Sequence, residues 1–202
     1  MRLVLASSSP YRRALLQRLQ LPFAWANPDI DETPAPGEDI DTLVRRLAVA
    51  KARMLGPRWP DSLIIASDQA CRVGTDIVGK PGTFAVARRQ LQACSGQTVN
   101  FHTALALYDS AGDNWQVEVE RYSVRFRSLS NSEIDYYLQQ EQPYDCAGSF
   151  KVEGLGVALF TALEGADYHS LIGLPLLQLC TMLRAAGVNP LLPPAPASPA
   201  PR

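Results

Sequence analysis

The chain has 202 residues, 47% of them hydrophobic and 19% charged, and its 19 Lys plus Arg against 20 Asp plus Glu leave a formal net charge of −1. That length can bury a core without a disulfide or metal staple. The balanced charge lacks the basic excess of a nucleic-acid binder, so any polyanion site has to be a local concentration of Arg and Lys.

Residues 2–6 read as a short apolar strand. Ser7-Ser8-Ser9-Pro10 follows, and a serine before a proline opens a helix, with Ser9 as its cap and Pro10 in the first turn. Tyr11, Leu15, Leu16 and Leu19 share one face of that helix. Residues 23–26 are a second expected strand. Pro28, Pro34, Pro36 and Gly37 break the next stretch, which carries the acidic run Asp29-Ile30-Asp31-Glu32. A helix is predicted over 39–55, with Leu43, Leu47, Ala50 and Met54 as its apolar stripe and Lys51 on it.

Residues 62–67, SLIIAS, form a continuous apolar run ending at Asp68-Gln69, as in a central strand buried on both faces. A short strand at 77–81 closes on Gly79-Lys80-Pro81, and a helix over 83–94 is closed by Gly96. Two long alternating strands come next. One carries Val99, Phe101, Thr103, Leu105 and Leu107; the other carries Trp115, Val117 and Val119, then Tyr122, Val124 and Phe126. The change of parity between Val119 and Tyr122 predicts a bulge. Ser130-x-x-Glu133 is a capping box opening a helix with Ile134, Tyr137 and Leu138. A loop over 143–156 leads to an apolar strand near 157–163, and the last helix runs from about Leu174-Pro175 to Gly187. The expected fold is α/β, a mixed twisted sheet flanked by helices. One domain over 1–188 precedes a Pro/Ala-rich tail at 189–202, whose composition predicts disorder.

Cys71, Cys94, Cys146 and Cys180 are scattered with no C-x-x-C, which speaks against zinc or a disulfide framework and for reduced thiols. The N-terminal apolar run is far shorter than a signal-peptide core, and no stretch approaches the ~18 apolar residues of a membrane span. A soluble, cytoplasmic protein is expected.

Three features point toward phosphate. Arg12 and Arg13 sit in the first turn of the first helix, where free N–H groups already favour an anion. A phosphate would compensate them; as a pair they are also ordinary solvated charges. Asp68 ends a buried strand, the place where ligands gather in α/β sheets. It could hold a divalent cation, take a proton from water, or simply cap a turn. Gly79 permits close backbone approach beside Lys80, but the P-loop spacing is absent. The acidic run offers oxygen ligands for Mg²⁺ or is a solvated loop. His102 and His169 have no ligand spacing; His102 is expected to face solvent or make a polar contact in its strand.

Taken together, the segments LASSSPYRRALL, PDIDE, LAVAKA, IIASDQ, GKP, CAGSFKVEGLG and LIGLPL resemble the Maf family of nucleotide pyrophosphatases, from Leu3 to about Gly187. The resemblance implies an ITPase-like, elongated fold with a cleft between two lobes. It also implies water attack on the α-phosphorus of a nucleoside triphosphate, with Asp68 as proton acceptor. By the same resemblance Ser8, Arg13, Lys51 and Lys80 would hold the triphosphate, to which the helix-end argument adds Arg12. Glu32 and Asp68 would hold a divalent metal: Mg²⁺, Mn²⁺ or Co²⁺. Tyr11, Gln69 and Glu153 are tied to substrate choice, and SPYRR, SDQ and CAGSFKVEG resemble the branch that hydrolyses 7-methyl-GTP. Tyr11 would stack on the cationic methylated base, and Glu153 would accept its N1 and N2 hydrogens. The family also implies a homodimer. Two other functions remain open at this point: a broader pyrophosphatase for modified or pyrimidine nucleotides, and a nucleotide-binding regulator of septum formation. The chain departs from the family at Thr103-Ala104 and Gly165-Ala166-Asp167-Tyr168, where glycines are common.

Overall fold

Strand β1 (Arg2–Ala6), buried from Leu3 onward, pairs in parallel with β2 (Phe23–Ala26) on one side and β3 (Ser62–Val73) on the other. The computed structural model describes residues 1–74 and 76–192. Four further strands complete the sheet: β4 (Asp76–Val78), β5 (Thr98–Asp109), β6 (Asn114–Phe126) and β7 (Phe160–Glu164). Their order is β2-β1-β3-β5-β6-β7, with β4 also paired to β3. The helices are α1 (Pro10–Gln17), α2 (Ile40–Leu55), α3 (Phe84–Cys94), α4 (Asn131–Glu141), α5 (His169–Ile172) and α6 (Leu176–Ala185). The sheet is mixed: parallel across β2-β1-β3, antiparallel from β3 onward.

Local chemistry set the helix starts. Ser9 caps α1 and accepts from Arg12 N, Thr83 caps α3, and Ser130 with Glu133 closes a full capping box on α4. Three expectations need correction. First, β3 does not stop at Ser67. Its parallel ladder with β1 ends at Ala6↔Ala66, but β5 continues antiparallel to Arg72↔Asn100. Asp68 therefore lies inside a strand, yet just beyond the carboxyl end of the parallel part, where the chain of β1 turns away as Ser7–Ser9. Second, β6 pairs with β5 without a break from Thr98↔Arg125 to Asp109↔Asn114. The only shift in β6 is against β7, between Arg125 and Phe126. The parity change reflects two different cores: Val117 and Val119 pack on the α2 side, Tyr122, Val124 and Phe126 on the α3/α4 side. Third, the buried face of α2 is Leu43, Leu47, Lys51 and Leu55 with Val44, Ala48 and Ala52, and Met54 is 49% exposed.

One core packs Leu3, Leu5, Leu63 and Ile65 against Leu15 and Leu16 of α1 and Leu179 and Leu183 of α6. Val4, Ile64 and Ala66 meet Ala52 and Leu55 of α2 on the opposite face. Each fully buried Leu or Ile here contributes about 1.5–3 kcal/mol. A second body of core joins Phe101, Val124 and Phe126 to Leu91, Ile134, Leu138 and Phe150. The cleft described below opens between these two regions. β7 begins three residues later than expected, after a 3-10 segment at Leu155–Leu159. The departure at Ala104 is accommodated, its methyl being fully buried beside Ala48 and Ala106.

All four cysteines are unpaired. His102 does make a polar contact, its Nδ1 lying 2.6 Å from Asp41 Oδ1. No helix among the described residues is long and apolar enough to cross a membrane. Asn189–Leu192 forms a turn, closed by Leu192 N–H donating to Asn189 O at 3.1 Å; the rest of the expected tail lies outside the described residues.

Candidate active site

The cleft begins where β1 ends. Ser7 Oγ accepts from Ser9 N at 3.1 Å, which shapes the serine turn and leaves Ser8 on the cleft wall. Three residues after Ser9, the partly buried Arg12 is strung between elements. Its Nε donates to Gly173 O at 2.8 Å and its Nη1 to Ser67 O at 2.7 Å. Burial pulls down the affinity of this guanidinium for its proton, and the charges of Asp68 and Glu32 act against that. Its remaining N–H groups are those free for a ligand. Arg13 does not reach the cleft. Successive helix positions are about 100° apart, and Arg13 lies over the Trp25 ring at 4.0 Å instead.

Lys51 and Asp68 meet from α2 and β3. Lys51 Nζ donates to Asp68 Oδ1 at 2.5 Å and lies 2.7 Å from Glu32 Oε1. The Asp68 carboxyl titrates above the ordinary carboxylate range because burial penalises its charge, although Lys51 and Arg12 pull the other way. Glu32 titrates low: burial opposes this, but the Lys51 hydrogen bond and the charges of Lys51, Lys80 and Arg12 prevail. Of the acidic run only Glu32 joins the cleft; Asp31 instead accepts from Thr33 N at 2.9 Å. Lys80 lines the same cavity. No atom of the described residues lies within 4 Å of where a Cβ on Gly79 would stand.

The rest of the wall comes from Tyr11, Gln69, Asp145, Cys146 and Glu153. The Tyr11 phenol is pushed up by burial first, then by Cys146, Asp145 and Glu153. Cys146 donates to Asp145 Oδ1 at 3.5 Å, and burial pushes its thiol up to about 12, so it stays protonated. Gln69 is fixed from three sides: Nε2 donates to Ser170 O at 2.6 Å, Thr103 Oγ1 at 3.0 Å and Leu171 O at 3.3 Å. That leaves its carbonyl oxygen as the group it can offer a ligand. Nothing local in the sequence marks Asp145 as a wall residue, and Cys146 stands there only among the scattered cysteines and at the head of CAGSFKVEGLG; the fold brings Asp145 and Glu153 to bear on Tyr11. Helix α5, whose carbonyls anchor Gln69, was also missed, being a single turn.

The charges sort by place. Arg12, Lys51, Lys80, Glu32 and Asp68 interact with one another. Asp145 and Glu153 bear on Tyr11, and among the described residues neither has a Lys or Arg partner in an ion pair. One cavity thus presents a cationic side next to an aromatic ring flanked by carboxylates.

The chain matches the Maf-like protein family over residues 2–186. It is 57% identical over 190 residues to the 7-methyl-GTP pyrophosphatase of Chromohalobacter salexigens, a span covering 94% of this chain and 98% of that protein. Among solved structures it is similar to the Ham1 protein of Staphylococcus aureus, with a TM-score of 0.50 and 13% identity over 92% of this chain and 100% of that one. That likeness concerns the fold alone.

Proposed function

The chain belongs to the Maf family, and from that premise we propose that it hydrolyses 7-methyl-GTP to 7-methyl-GMP and pyrophosphate, removing a modified nucleotide from the pool. It is a nucleotide pyrophosphatase, a hydrolase of phosphoric anhydrides. The observation that carries the choice of base is the sorted charge of the cleft. Methylation at N7 makes guanine cationic, and Tyr11 with Glu153 and Asp145 suits a cation stacked on a ring and faced by carboxylates. Arg12, Lys51 and Lys80, with Ser8, are disposed to take the triphosphate. Arg13, over Trp25, is left out of that set.

Asp68 is the proposed base. Its raised affinity for a proton improves its ability to take one from water near neutral pH. Water attacks the α-phosphorus, Asp68 receives the proton, and the fixed cations meet charge developing on the phosphate oxygens. The residues present fit a divalent ion. Glu32 and Asp68 both reach one cation position, now taken by the Lys51 ammonium. Mg²⁺ commonly binds one or two carboxylates together with substrate phosphates. Among the described residues no cluster of three or more His, Cys, Asp or Glu forms an all-protein cage. When bound, such an ion supplies charge neutralisation on the phosphates. A homodimer is proposed on the family resemblance.

The test is steady-state kinetics on a panel of 7-methyl-GTP, GTP, dTTP and UTP with Mg²⁺, Mn²⁺ or Co²⁺. The expected result is 7-methyl-GTP well ahead of GTP, with pyrophosphate as product. Equal rates across the panel would favour the broader pyrophosphatase.

A further inference from the structure

The turn carrying Lys80 and the turn carrying Asp145 and Cys146 are far apart in sequence but fastened to each other. Gly82 N–H donates to Tyr144 O at 2.9 Å. Gln90, on α3, makes the second fastening: Ser149 Oγ donates to its Oε1 at 2.5 Å, and its Nε2 donates to Gly79 O at 3.4 Å. Ser149 is completely buried, so no solvent replaces Gln90 as its acceptor. Gln90 itself does not line the cleft. The two ends of its planar amide therefore hold the residue before Lys80 against the loop that leads to Glu153.

We propose that Gln90 is a positioning residue that sets the separation between the phosphate-holding and base-holding walls; this rests on the proposed division of the cleft into those walls. A ligand that spans both walls depends on that separation, whereas a fragment touching one wall does not. The two arms can be cut separately. Gln90→Ala removes both. Gln90→Glu keeps an acceptor for Ser149 and loses the donor to Gly79, so it remains informative if the alanine variant is unstable.

The experiment compares wild type, Gln90→Ala, Gln90→Glu, Lys80→Ala and Gln90→Ala with Lys80→Ala. It measures 7-methyl-GTP turnover and, by calorimetry, binding of inorganic tripolyphosphate alone. Both Gln90 variants are expected to raise KM about tenfold with kcat within about twofold, since uniform binding is what is lost. Tripolyphosphate binding should stay within about twofold of wild type, and Gln90→Ala should add less than about twofold to Lys80→Ala. An unchanged KM, multiplying effects in the double variant, or an equal loss of tripolyphosphate binding overturns the proposal. A wild-type protein inert toward 7-methyl-GTP ends the functional reading instead; the same comparison is then read by calorimetry on whichever nucleoside triphosphate of the panel binds.

Discussion

The Lys51 ammonium donates to Asp68 Oδ1 at 2.5 Å with both side chains more than nine-tenths buried. With Glu32 on its other side, this lysine is the counter-ion for two carboxylates. Breaking a buried pair by removing one member costs about 3–5 kcal/mol because the other charge is left unpaired. Lys51→Met should therefore lower Tm by more than 5 °C, by the roughly 2–4 °C per kcal/mol of a chain this size. It should also let free Mn²⁺ bind without nucleotide at least about tenfold tighter, as two uncompensated carboxylates attract a cation. Electron paramagnetic resonance of Mn²⁺ titrations reads this directly. No gain in Mn²⁺ affinity would mean that Lys51 does not occupy the cation seat.

As the proposed base, Asp68 should set the acid limb of activity. Its folded-state affinity for a proton lies above the ordinary carboxylate value of 3.8, from burial. Activity needs the ionised form, so it falls as pH drops through that raised value, and the limb should stand above 3.8 in kcat/KM. The stability linkage has the opposite sense. A raised folded-state value gives stability that is full below the unfolded value of about 3.9 and is lost as pH rises through the folded one. Asp68→Asn should cut turnover by at least about 1,000-fold and, in a pH series of thermal unfolding, remove that fall. Near-normal turnover of this variant would assign the base elsewhere.

Much of this architecture was legible because it is local. The cap at Ser9 and the capping box of Ser130 with Glu133 are read from a few adjacent residues, and both are found in place. What failed depended on tertiary partners. Nothing near Asp68 tells that β5 will carry the ladder past it. The apolar stripe through Ala50 and Met54 leaves out Lys51, yet Lys51 follows the Leu43–Leu47 spacing and is buried because Asp68 meets it. Arg12 and Arg13 are indistinguishable in sequence; helix rotation alone sends one into the cleft and the other over Trp25. The base-side wall was half visible: Glu153 came from the resemblance, whereas Asp145 needed the fold.

The carboxylate pair around Tyr11 predicts recognition by charge as well as by shape. An analogue of 7-methyl-GTP with carbon in place of N7 keeps the methyl and loses the positive charge. Its kcat/KM should fall at least about tenfold relative to 7-methyl-GTP, within reach of two partly screened charge contacts and a cation–π stack. Asp145→Asn should narrow that gap about three- to tenfold while leaving the neutral analogue's kcat/KM nearly constant, whereas Glu153→Gln, which also gives up an acceptor for the N1 and N2 hydrogens, should lower both and the cationic nucleotide more. Equal turnover of the two nucleotides by wild type would show that the pocket reads the methyl group alone.

Gly173 joins fold to site through its carbonyl, which accepts from Arg12 Nε at 2.8 Å and from Ser67 Oγ at 2.8 Å. It ends α5 with a φ of +108°, a conformation costly for a residue with a Cβ. An added Cβ would also lie 3.0 Å from Arg12 Nε and 3.4 Å from its Nη2. Gly173→Ala is thus opposed twice, by backbone strain of about 1–2 kcal/mol and by displacement of the buried guanidinium. A Tm loss of about 2–8 °C follows for a chain of this length. Because the shift falls on Arg12, proposed to hold the phosphates, KM for 7-methyl-GTP should rise along with it. Gly187→Ala is the control: it has the same sign of φ, at +81°, and open space around its Cβ. It should lose comparable stability with KM unchanged. A pair of variants equal in both readouts would detach Gly173 from the site.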